Sequence, residues 1–137
     1  MKNRAITDDS IRQLIDRFYA KVRQDENLGP IFAKAIGDDD EAWKPHLAHM
    51  YDFWSSVMLA SGRYQGNPMQ KHMALPAFDV RLFDRWLELF AETAHEMHSE
   101  PLALQYIEKS KRIAESLKLA LYYKPEAKGQ LNQFQTM

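Results

Sequence analysis

Cysteine is absent from this chain of 137 residues. That excludes disulfides, thiolate-bound zinc, iron–sulfur clusters, a cysteine nucleophile and any cofactor attached through Cys-x-x-Cys-His. A dominant charge is missing as well: 18 basic residues stand against 19 acidic ones, for a net charge of −1. There is accordingly no basic stripe to hold nucleic acid and no acidic excess to solvate a tail. No apolar run approaches the roughly 18 residues of a membrane span, and no N-terminal segment reads as a signal peptide. The chain is expected to be soluble, cytoplasmic and monomeric, since nothing in its expected surface demands a dimer. An alternating strand pattern is lacking, and so is an internal repeat. What remains is apolar content of 45% with 12% aromatics, enough for one domain with a real core in which several large rings must pack.

Helical periodicity accounts for nearly all of it. Thr7 can cap a helix running to about Gln24, with Asp8 and Asp9 at its positive end and Ile6 positioned to staple onto Ile11. Ile11, Leu14, Ile15, Phe18, Tyr19 and Val22 share one face of it. After Gly29-Pro30, residues 31–36 could form a short helical turn. A second long helix spans about 41–60. Pro45 sets its main start near Lys44, with Trp43 in the approach to it, and the inward face reads His46, Met50, Phe53, Trp54, Val57 and Met58. Residues 61–78, punctuated by Gly62, Gly66, Pro68 and Pro76, are too broken for a long element. Asp79 caps a third helix to about His98, carrying Leu82, Phe83, Trp86, Leu89, Phe90 and Met97. Pro101 restarts a fourth with the stripe Leu104, Ile107, Ala114, Leu117 and Leu121. The expected fold is all-α, with a domain over 1–124 and a disordered tail over 125–137.

Four residues carry chemistry on these faces. Tyr19, His46 and Trp86 are polar-tipped side chains written into apolar stripes. Each alone is more often a packed core residue than a ligand-binding one, although a buried hydroxyl must still find a partner. His72 differs: it sits in the punctuated segment among Met69, Met73, Leu75 and Phe78, company that a surface histidine does not need. One axial imidazole facing hydrogen-bond donors is what a haem pocket requires. Two competing features are the i,i+3 pairs His46/His49 and His95/His98, either of which could bind a transition metal. The latter also sits near a helix C-terminus, where the dipole favours protonated histidine.

Taken together, Arg17-Phe-Tyr-Ala-Lys-Val22, Leu28-Gly-Pro-Ile-Phe32, Trp43-Lys-Pro-His46, Phe53-Trp54, Tyr64-Gln-Gly-Asn-Pro-Met69 leading to His72, and Trp86 after Phe83 resemble the truncated haemoglobins, most closely their third group. The resemblance covers about Ser10 to Tyr122. The Gly-Gly pairs that mark the other two groups are missing, as at Lys21-Val22-Arg23. It implies a two-over-two helical sandwich around haem b, with His72 as the proximal iron ligand. Tyr19, His46 and Trp86 would lie on the distal side, and Phe32, Met50, Met69 and Phe78 would pack near the cofactor. Lys71 and Arg63 are candidate partners for the propionates.

The resemblance implies binding of O₂, NO or CO at a five-coordinate iron. Two function classes follow. One is a diatomic-ligand binder, serving oxygen binding, storage or transport, or as a scavenger or sensor. The other is an enzyme for NO dioxygenation or peroxide reduction, with His46 as a proton shuttle. The chain carries no flavin or nicotinamide fingerprint, so turnover would call for a separate reductase. A haem-free helical adaptor is the third reading, and it predicts a colourless protein.

Overall fold

Thr7 turns the chain into its first helix, α1 (Asp8–Gln24). Its hydroxyl accepts from the Ser10 N–H at 3.0 Å while Ser10 Oγ accepts from the Thr7 N–H at 2.9 Å. This reciprocal pair satisfies donors that a helix start leaves over, at about 1 kcal/mol per cap. The inward stripe Ile11, Leu14, Ile15, Phe18, Tyr19 and Val22 is buried throughout. Four further helices follow among the described residues: α2 (Leu28–Ala35), α3 (Asp40–Leu59), α4 (Arg81–Met97) and α5 (Glu100–Tyr122). The computed structural model describes residues 2–64, 66 and 80–122, with side chains through 119. The expected tail and most of the punctuated segment, including Met69, Lys71, His72, Phe78 and the expected cap Asp79, lie outside the described residues.

Among the described residues the architecture is all-α: α1 packs on α2 and α3, crosses to α4, and α4 packs along α5. A ladder of rings fills the crossing. Trp86 stacks on Phe90 (5.5 Å, 5°), Phe90 stacks on Trp54 (4.8 Å, 19°), and Phe18 meets both Trp86 and Phe90 edge-on. Such pairs add roughly 0.5–1.5 kcal/mol each beyond their buried area.

Two boundaries and one buried stripe differ from expectation, each for a local reason. The second helix starts at Leu28 rather than residue 31. Asp25 accepts from the Leu28 and Asn27 N–H groups at 2.9 and 3.0 Å, and Pro30 falls in the first turn, where its missing N–H costs nothing. Glycine is required at 29, because a Cβ there would stand 2.7 Å from the Arg23 carbonyl oxygen. The third helix begins at Asp40, ahead of Lys44, with Asp39 accepting from the Ala42 N–H at 2.8 Å. Pro45 is absorbed because it deletes only the bond to the carbonyl of Glu41, an exposed residue that water reaches. On α5 the buried stripe is Ala103, Tyr106, Ser110, Ala114 and Leu117, whereas Leu104 is 52% exposed. Ala114 and Leu117 are thus buried as expected and Ile107 packs against the core, while Tyr106 takes the inward place expected of Leu104.

The N-terminal arm is pinned where α4 meets α5. The Asn3 N–H donates to the Met97 carbonyl and the Ser99 N–H to the Asn3 carbonyl, each at 2.9 Å. Beneath them His98 is completely buried, its ring 4.8 Å from that of Tyr106. Neither imidazole nitrogen has a hydrogen-bond partner among the described residues, and burial holds the His98 pKa below its ordinary value. A histidine depressed in the fold favours the native state when neutral. Its contribution is therefore full above the unfolded pKa of about 6.5 and is lost as pH falls from there through the folded value. Denaturant melts from pH 7.5 to 5 should show stability falling by up to about 1.4 kcal/mol per pH unit in that window. The slope should be reduced in His98→Gln; an unaltered slope would contradict the account.

Candidate functional site

Side chains from α1, α2, α3, α4 and α5 enclose a cavity of about 300 Å³. From α1 comes Tyr19, from α2 Phe32, from α3 His46 and Met50, and from α4 Trp86. These five expected site residues therefore share one space. Its remaining wall is mostly apolar, including Ile31, Phe53, Trp54, Leu82, Phe83 and Ile113. Helical spacing explains the convergence: His46, Met50 and Trp54 are stacked one turn apart on α3, and Trp86 lies one turn before Phe90 on α4.

The polar tips cluster at one end. The rings of Tyr19 and His46 are 5.1 Å apart and perpendicular. Burial drives the Tyr19 hydroxyl far above the usual phenol range, and the Trp86 indole beside it works in the opposite direction without reversing the shift. Tyr19 is thus a protonated donor across any ordinary pH. Trp86 is fixed by the stack on Phe90 and the edge of Phe18, so its ring has little freedom to rotate away. Phe32 is oriented by Tyr19 at 6.1 Å. The helix that carries it is anchored to α4 by Asp25, which pairs with Arg85 Nε at 2.8 Å. Burial opposes ionisation of Asp25, but the amides of Leu28 and Asn27 and the Arg85 guanidinium together hold its pKa low.

The other expected positions divide in two. Met69, Lys71, His72 and Phe78 lie outside the described residues. Arg63 is committed elsewhere: its guanidinium pairs with Asp8 of α1 and approaches Asp52 of α3 at 4.0 Å, away from the cavity wall. Of the two histidine pairs, His95 is exposed while His98 is buried, and among the described residues neither pair belongs to a group of three His, Cys, Asp or Glu side chains that could hold a metal ion.

Sequence reading passes over two cavity residues. His49, one turn beyond His46, lines the space despite being exposed; its i+3 spacing from His46 is the available signal. Tyr64 reaches the cavity from beyond the end of α3, its ring 5.2 Å from Phe53. Its hydroxyl is buried with no hydrogen-bond partner among the described residues. A second hollow, about 400 Å³, lies outside Trp43 and is bounded by Arg23, Asp38 and Asp40. There Arg23 pairs with Asp40 at 3.0 Å and donates to the Asp38 backbone carbonyl at 2.8 Å.

Helices folded over an apolar cavity with donors gathered at one end define a globin. The chain belongs to the bacterial-like globin family, whose sequence model matches residues 6–119. It is 40% identical over 122 residues to the group 3 truncated hemoglobin ctb of Campylobacter jejuni, covering 89% of this chain and 96% of that protein. The crystal structure of a group III truncated hemoglobin from the same organism superposes with a TM-score of 0.87 at 39% identity, covering 92% of this chain and all of that one. The chain is thus a truncated haemoglobin of the third group's pattern, and globins bind small diatomic ligands through haem.

The residues present fit such a group. A flat apolar macrocycle needs apolar walls on both faces and few polar atoms. The cavity supplies apolar wall from Phe32, Met50, Phe53, Leu82 and Ile113. The unpartnered hydroxyl of Tyr64 is the kind of buried polar atom that a polar substituent on the cofactor's edge would satisfy.

Proposed function

We propose that the chain holds haem b non-covalently in this cavity, with His72 as the axial ligand, and binds O₂ or NO tightly rather than shuttling it. Met69 and Phe78 would pack beside His72, with Lys71 near a propionate. When bound, the haem supplies a five-coordinate iron with one position free for a diatomic ligand. The observation that carries the reading is the convergence of Tyr19, His46 and Trp86 from three helices onto one part of a mostly apolar cavity. Tyr19 and Trp86 donate to the ligand there, and the apolar walls exclude water that would compete with them. His46 stands at the side of this donor pair.

The test is the visible spectrum of the purified protein, ferric and then dithionite-reduced with and without CO. An intense Soret band that shifts on CO addition is the expected result. No Soret band after haem is added back would leave a helical bundle whose rings are only core, and the proposal would fall.

One observation favours an enzymatic reading beside it. His46 lines the cavity with its ring against the Tyr19 ring, an arrangement able to relay a proton toward a bound ligand. NO dioxygenation or peroxide reduction would then require a separate reductase. Multiple turnovers with a reductant present would establish it, and stoichiometric reaction alone would count against it.

A further inference from the structure

We propose that Trp43 is the positioning residue for His46: an indole clamp at the start of α3 that holds the imidazole inward beside Tyr19. This rests on the ligand-binding reading above, and it concerns what sets the state of the cavity rather than what the cavity holds. Trp43 and His46 lie three residues apart on α3, so their side chains neighbour one another. The His46 ring is perpendicular to both of its neighbours, 5.2 Å from Trp43 at 89° and 5.1 Å from Tyr19 at 88°. Two aromatic rings 5.7 Å apart therefore flank one imidazole.

A clamp acts only if it is itself fixed, and Trp43 is held by three groups. Its Nε1–H donates to the Gly37 carbonyl at 2.9 Å. Gly37 presents that carbonyl from a φ of +132°, a conformation side chains rarely adopt, and a Cβ there would also stand 2.9 Å from that of Ala42. The Arg23 guanidinium covers the ring at 5.0 Å while its nitrogens hold Asp40 at 3.0 Å and the Asp38 carbonyl at 2.8 Å. Phe32 lies against it at 6.1 Å. The indole is 2% exposed. A partly buried histidine at a cavity wall otherwise has rotamers that point toward solvent; with the indole present, outward rotation gives up both edge contacts.

The geometry assigns Trp43 control over how often the cavity is open. Trp43→Leu removes the ring, and Trp43→Phe keeps an aromatic face but loses the bond to Gly37. With an edge contact released, CO association should quicken by roughly threefold to tenfold in Trp43→Leu, and by less in Trp43→Phe. In a His46→Leu background the same substitutions should change nothing, because the clamp then holds nothing. Unaltered rates in the single variants, or equal changes in both backgrounds, would overturn the proposal; the latter would mean that Trp43 acts by general loosening.

A second readout needs no haem. The His46 ring-proton resonances, displaced in the parent chain by the flanking rings, should return toward free-histidine positions in Trp43→Leu and partway in Trp43→Phe. Resonances that stay in place would overturn the clamp even if CO rates shift. A protein that takes up no haem would sink the ligand-binding reading, while these resonances would still decide whether Trp43 holds His46.

Discussion

His72→Ala is expected to purify without a Soret band while keeping its helical circular dichroism. The expectation follows from the division of labour within the proposed pocket. The described wall supplies apolar contact and donors: Phe32, Met50, Leu82 and Ile113 on one hand, Tyr19 and Trp86 on the other. Cysteine, the other common strong protein ligand for haem iron, is absent from the chain. His46 and His49 also line the cavity, but both stand on α3, with His46 against Tyr19, the side kept for the diatomic ligand. Changes in groups that merely orient a metal ligand cost about 10- to 100-fold in affinity, and deleting the ligand itself should cost more. Retention should thus fall below what survives purification, and free imidazole added to the variant should restore part of the band. A normally loaded His72→Ala protein would remove the axial assignment and turn attention to His46 or His49.

The fold was legible wherever one stripe dominates a helix. Every apolar position expected on the inner face of α1 is buried, because six large side chains at helical spacing admit one solution. Sequence did less well where two stripes compete or a breaker intervenes. Leu104 outranks Ala103 in hydrophobicity, yet Ala103 and Tyr106 are buried and Leu104 is exposed, and single-helix periodicity cannot register a partner's shape. Pro45 suggested a late start to α3 because its clash is a general rule, whereas its effect near an exposed helix start depends on whether water reaches the freed carbonyl.

The candidate site divides along similar lines. Tyr19, His46, Met50 and Trp86 were visible as polar or polarisable tips on apolar faces, and their shared cavity follows from which faces turn inward. Tyr64 was not visible as a site residue, since it enters from an irregular stretch where no period assigns a direction. Trp43 was read as part of the approach to α3 and as one mark of the resemblance, not as a site residue. Its spacing from His46 was in view, but its role depends on Gly37 and Arg23, brought to it by the fold of the intervening chain.

Tyr19→Phe and Trp86→Phe are each expected to speed O₂ dissociation by about tenfold or more. A hydrogen bond to a group carrying charge contributes roughly 1.5–3 kcal/mol, and each 1.4 kcal/mol is about a tenfold change, felt mostly in the off-rate. Tyr19 qualifies as a constant donor because burial holds its proton far above the usual phenol range, so the rate should stay flat from about pH 6 to 9 in the parent chain. Trp86 qualifies because its ring is locked against Phe90 at 5.5 Å, and a phenylalanine in its place retains the stack while losing the N–H. Both substitutions therefore remove a donor with little change of packing. CO, a much poorer hydrogen-bond acceptor when bound, separates the donor effect from simple opening of the pocket: its dissociation should change far less than that of O₂. The two donors serve one ligand in one small space, so the double variant should fall short of the product of the single effects. Stopped-flow displacement of O₂ by CO measures all three. Off-rates equal to those of the parent would sink the donor pair, and equal acceleration for both ligands would reduce Tyr19 and Trp86 to walls of the cavity.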